Sequence, residues 1–197
     1  MRRSDKKIIT SFLVLSCIFL LKDSGISQSS SVFAVRDARV FDGERVLEKA
    51  VVVVKDGIIL GVGAGILIPE GATIIDGSGK TLLPGLIDSH THISPGSLEQ
   101  SLVFGVTTDI DMFMDVSYMK EVKKLQAEGK NTGRADLISP GTLVTAPGGH
   151  GTQYGLPIPT IKTPADAQVF VDARIAEGAD FIKIIYGIVA PRAIRNR

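Results

Sequence analysis

His90 and His92 close the run Leu86-Ile87-Asp88-Ser89-His90-Thr91-His92, whose apolar start and polar finish read as a β-strand. Side chains at i and i+2 leave a strand on the same side. Two imidazoles beside Asp88 can therefore grip one divalent metal. A His-x-His pair also arises by chance on exposed surface. What points to chemistry is its place at the carboxyl end of a strand that opens a strand–helix series, the end where βα barrels keep their reacting groups. Lys183 is the second anomaly, an ammonium set inside the apolar run Phe181-Ile182-Lys183-Ile184-Ile185. Burying it is costly unless it is paired or neutral, or unless its stem alone is buried. His150 and Tyr154 lie in the Gly-rich stretch 147–155, just after a third strand. There they could touch a ligand or simply decorate a surface loop. Asp109 and Asp111 end the second strand; they could orient ligands, or cap or turn the chain.

The elements that must position these residues fall into two regions. Residues 32–84 read as a small β domain of sandwich or open-barrel type. Short stretches at 32–35 and 38–41 are followed by Ala50–Val54, and then by a return strand from Ile58 after Asp56-Gly57. Asp-Gly between β-branched runs is a strong hairpin signal. From Gly85 the rhythm turns to strand–helix alternation. Strands are expected at 86–92, 105–110, 137–145 and 181–186, with a helix over about 116–128. Thr163-Pro164-Ala165-Asp166 starts another helix with a capping Thr, an early Pro and an early acid; Gly178 ends it. Apolar strands alternating with helices imply a parallel sheet covered on both faces.

The chain of 197 residues is 44% hydrophobic and 22% charged, which excludes a disordered or fibrous protein. Its formal charge of +1 gives no electrostatic case for nucleic-acid binding. One Cys, Cys17, permits neither an internal disulfide nor a Cys-based zinc site. Residues 1–31 read as a signal peptide and linker: a basic start, an apolar run over 8–21, then small residues. That pattern implies export to the periplasm or medium, with no transmembrane anchor left after cleavage. Val14-Leu15-Ser16-Cys17 also resembles a lipobox, which would instead make Cys17 a lipid anchor, although the apolar run continues past it.

Leu83-Pro84-Gly85-Leu86-Ile87-Asp88-Ser89-His90-Thr91-His92 resembles the opening signature of the metal-dependent amidohydrolase superfamily. Gly105-Val106-Thr107-Thr108 resembles that family's second barrel strand. Gly178–Ile184 resembles the fourth strand of the subgroup of imidazolonepropionase-like enzymes and Xaa-Pro dipeptidases. The resemblance covers about 33–187. It implies an α/β fold in which 85–187 form the first half of a (β/α)8 barrel, about four βα units, behind the 32–84 β domain. It also implies one or two divalent metals, zinc by expectation, held by His90, His92 and Lys183. In the family the Lys can take up CO₂ to become a metal-bridging carbamate; that role and a paired Lys both stay open. The implied partner is a small amide, cyclic amide or dipeptide, and the Gly-rich loop makes His150 or Tyr154 the candidate contact to it.

A full barrel takes about 250 residues. No residue matches the family's later His ligands or its proton-moving Asp, and residues 188–197 read as an aberrant tail, as in a truncated or frameshifted frame. Two function classes follow. One is a carbon–nitrogen hydrolase in truncated, poorly active form. The other is a non-catalytic exported remnant or metal- or ligand-binding half-barrel.

Overall fold

A computed structural model of the chain describes residues 31–155 and 157–187. The expected signal segment with Cys17 and the tail at 188–197 lie outside the described residues. Two compact units divide the chain. One takes the described residues up to Arg39 with Glu48–Lys80, the other Val40–Leu47 with the described residues from Thr81.

The first unit is built on β1 (Val32–Phe41), β2 (Val46–Lys55), β3 (Ile58–Gly63) and β4 (Thr73–Asp76), in the spatial order β3-β2-β1-β4. The hairpin forms where Asp-Gly requires it. Asp56 and Gly57 both take left-handed φ, 50° and 80°, which the mirror-image two-residue turn needs to follow the twist of its strands. The two short stretches expected at 32–35 and 38–41 are one continuous strand. Asp37 turns left-handed inside it (φ 58°), and Ala34, Ala38 and Val40 all stay buried. β4 pairs with β1 in parallel, Phe33 opposite Thr73 through Arg36 opposite Asp76. These strands therefore share one mixed sheet.

The second unit follows the alternation: β5 (Thr81–Leu82), β6 (Leu86–Thr91), α1 (Ser97–Val103), β7 (Val106–Asp111), α2 (Val116–Ala127), β8 (Asp136–Ile138) and α3 (Pro164–Glu177). β6, β7 and β8 lie side by side in chain order, all parallel. Gly85 lets β6 begin against β7. A Cβ there would stand 2.1 Å from Thr107 Oγ1, an impossible contact for any larger residue. α2 starts at Asp115, whose carboxylate accepts the Tyr118 N–H at 2.9 Å. Its Met119 and Val122, one turn apart, pack with Ile93, Leu98, Met114, Ala135 and Leu137 into the core. α3 carries a full capping box: Thr163 accepts the Asp166 N–H and Asp166 accepts the Thr163 N–H.

Two expectations are corrected. The strand expected at 137–145 holds only over Asp136–Ile138. Pro140 then lacks an amide donor and Gly141 turns left-handed (φ 63°), so the ladder stops. The chain becomes extended again near Leu143–Thr145. The fourth strand expected at 181–186 is reduced to a single parallel bridge, Val144 with Ile184. Two hydrogen bonds fasten it: Val144 N–H to Lys183 O, and Ile185 N–H to Val144 O. The turn before it is anchored by Asp180, which accepts the Ser139 N–H at 2.8 Å and pairs with Lys123.

Candidate functional site

β6 delivers His90, and His92 just past its last residue, to the carboxyl end of the parallel sheet. There they line a cavity of about 410 Å³ with His150 and Lys183. Met112, Phe113, Leu143, Ile158 and Ile185 supply its apolar walls. A mostly apolar cavity with a few convergent polar groups is the usual form of a small-molecule site. The rings of His90 and His92 stand edge to face, centroids 5.9 Å apart. His92 Nδ1 lies 3.4 Å from the Phe113 carbonyl oxygen. In the tautomer that donates there, Nε2 keeps its lone pair for a ligand. The Asp88 carboxylate accepts the His90 N–H at 3.1 Å, so it braces the backbone at the first imidazole.

His150 enters from the Gly-rich loop. Its Nδ1 is 3.2 Å from Gln153 Nε2, and Gln153 in turn accepts the Gly151 N–H at 2.6 Å. An amide donating to Nδ1 makes Nε2 the protonated nitrogen of the ring. Tyr154 ends the 3-10 turn Thr152–Tyr154, and its side chain is outside the described part of the structure. Lys183 is half-buried, with its backbone tied to Val144.

Asp111 has a larger role than capping or turning the chain. It is fully buried and accepts the Ile93 N–H at 3.0 Å and the Ser139 hydroxyl at 2.8 Å. It thereby ties the segment just after His92 to the end of β8. Burial pushes its carboxyl above the usual carboxylate range; those hydrogen bonds and the nearby His92 pull the other way. Asp109, two residues earlier on the same strand, is also buried. The signal for both was present, two acids at i and i+2 in an apolar strand, but not the depth of their burial.

Among the described residues no three or more His, Cys, Asp and Glu side chains converge to hold a metal. The donors that do converge fit a borderline divalent ion. Two imidazoles and Lys183 line the same cavity, and Lys183 would be a ligand only when neutral or carrying an anionic cap, since an ammonium would repel the ion.

No family model matches the chain, and no curated protein does. Solved structures do. An amidohydrolase superposes with a TM-score of 0.65 at 22% identity, over 78% of this chain and 46% of its own. A prolidase complexed with N-methylphosphonate-L-proline gives 0.64 at 23%, over 78% and 46%. The ochratoxinase of A. niger gives 0.64 at 19%, over 81% and 48%. The chain thus has a mixed α/β fold of amidohydrolase-like type and spans about half the length of the structures it matches.

Proposed function

We propose that the chain carries part of a metal-dependent hydrolase of carbon–nitrogen bonds. Its second unit would be the first half of a (β/α)8 barrel, and its substrates small amides, cyclic amides or dipeptides. One observation carries the reading: His90, His92, His150 and Lys183, drawn from three separate stretches of sequence, line one apolar-walled cavity at the carboxyl end of parallel strands. The amidohydrolase-like fold supports it.

In this reading His90 and His92 hold a divalent ion, zinc by the softness of imidazole, and Lys183 is the third ligand. The ion would supply Lewis acidity, polarising a carbonyl and acidifying water. Lys183 becomes an anionic donor by adding its neutral amine to CO₂: a C–N bond forms, one proton leaves, and a carbamate remains. His150 would contact a substrate oxygen, and Phe113, Leu143 and Ile158 would keep water from the bound substrate. Among the described residues no carboxylate lines the cavity, and His150 is the side chain there, outside the proposed ligands, able to carry a proton. In this reading turnover by the chain is slow; the second reading is a metal- or ligand-binding protein without turnover. The segment 1–27 directs export in either case, with a lipid on Cys17 as the alternative; amino-terminal sequencing of the mature protein distinguishes the two.

The test is metal content and hydrolysis together. Wild type loaded with zinc is expected to retain it through desalting, and His90→Ala and His92→Ala are expected to lose it. Xaa-Pro dipeptides and cyclic amides should be cleaved slowly or not at all. Zinc retention unchanged in both variants ends the metal assignment. Rapid hydrolysis abolished by His90→Ala ends the claim of slow turnover.

A further inference from the structure

A second cavity of about 300 Å³ lies between α1 and the β6–β7 pair, lined by Asp88, Thr91, Ser97, Gln100, Ser101 and Asp109 among others. Asp109 is only 1% exposed, and neither of its carboxylate oxygens has a well-formed hydrogen bond, the Ser101 hydroxyl standing near it without bonding geometry; the Thr91 hydroxyl is likewise buried and unpartnered. Three buried oxygens without partners in one place are unusual, because each forfeits its hydration for nothing. Asp88 is the register partner of Asp109 across the parallel pair, so the two carboxylates sit on neighbouring strands at the same level. Their charges reinforce one another in raising the Asp109 pKa, after burial itself, while the Ser101 hydroxyl only partly offsets them.

A buried anion is retained when it is paired or coordinates a cation. Among the described residues no Lys, Arg or His ion-pairs with Asp109. The polar groups around it are mostly oxygen donors, a second carboxylate, the hydroxyls of Thr91, Ser97 and Ser101, and the Gln100 amide, with the His92 ring also in the lining and Ile93, Phe104 and Val106 as its apolar part. Oxygen-rich sets with two carboxylates suit hard divalent ions of the magnesium and calcium kind, and room remains for the waters such ions keep. We propose that Asp88 and Asp109, with Thr91 and Ser101, form a hard-cation site between α1 and the β6–β7 pair, next to the imidazole cavity, with which it shares only His92. Bound there, the ion would fasten α1 to the strand that carries His90 and His92.

The probe is Ca²⁺ or Mg²⁺ added to the chelator-treated full chain, read by calorimetry and by thermal melting. One saturable site is expected, with a rise in Tm on binding. Asp109→Asn is isosteric and removes the buried charge, so the metal-free variant should melt at or above wild type at neutral pH, which shows that it folds. Its affinity for Ca²⁺ should fall by about tenfold or more, as should that of Asp88→Asn, since each loses an anionic ligand. His90→Ala should bind Ca²⁺ as wild type does while losing zinc, so failure of the imidazole reading leaves this site intact and the reverse also holds. The proposal is overturned if no saturable Ca²⁺ or Mg²⁺ binding occurs, if Asp109→Asn binds as tightly as wild type, or if His90→Ala alone abolishes binding.

Discussion

At the scale of single residues, chemistry was legible where a residue type sat against its surroundings. His90, His92, Lys183 and His150 each break an apolar or glycine-rich stretch, and the structure brings all four to one cavity. What could not be read was depth. Asp109 and Asp111 looked like strand-end acids, yet they are 1% and 0% exposed. Strand periodicity says which face a side chain takes, but not how thickly that face is covered by α1 and the β8 end. Asp111→Ala should therefore destabilise the metal-free protein. It leaves the Ile93 N–H and the Ser139 hydroxyl without their acceptor, at about 1–3 kcal/mol for each buried donor, and thermal denaturation reads the loss. The pH dependence has a definite sign. The folded pKa of Asp111 is raised above 3.8, so its contribution is full below 3.8 and is lost as pH rises through the folded value. The stability of wild type relative to Asp111→Asn should decline over that window.

At the scale of elements, punctuation was the reliable guide. Asp56-Gly57 made its hairpin, and Thr163-Pro164 with Asp166 made the start of α3, because these signals act on a few adjacent residues and need no partner. The helix expected over 116–128 forms as α2 with its end one residue earlier, at Ala127. α1 was missed because it is seven residues long, begins at Gly96 without a side-chain cap, and owes its burial to Leu98 alone. The third and fourth strands were overestimated for the opposite reason. An apolar run promises an extended chain but not a neighbour to bond with, and Pro140 removes the donor where the ladder would continue. Thr163→Ala should cost α3 about 1 kcal/mol, measured by chemical denaturation. The Asp166 carboxyl is held below its ordinary value, chiefly by the Lys162 and Thr163 amides. The cap is then present above 3.8 and should be lost as pH falls through the depressed folded value. In Thr163→Ala the stability gap to wild type should narrow at acid pH.

At the scale of the whole molecule, the change of rhythm at Gly85 foretold the alternating α/β part, while strand partners within the first unit were not foretold. The parallel pairing of β1 with β4 depends on residues about forty positions apart, which no local pattern encodes. The second unit also shows what its sheet leaves open. Among the described residues β6 pairs on one side only, with β7, and Leu86 and Ile87 are 54% and 64% exposed. An apolar strand with an unpaired edge invites pairing with another chain. The protein should therefore associate as its concentration rises, as read by light scattering. Ile87→Lys, which places a charge on that edge, should keep it monodisperse without loss of helical circular dichroism.

The β2–β3 hairpin has a consequence in time. Its turn closes a loop of two residues, whereas β1 must wait for β4 across a long stretch of chain before their ladder can form. Loop closure is cheap for the first event and dearer for the second, so the hairpin is the natural starting point from which the first unit assembles. Gly57→Ala, which strains that turn at φ 80°, should slow refolding more than it speeds unfolding.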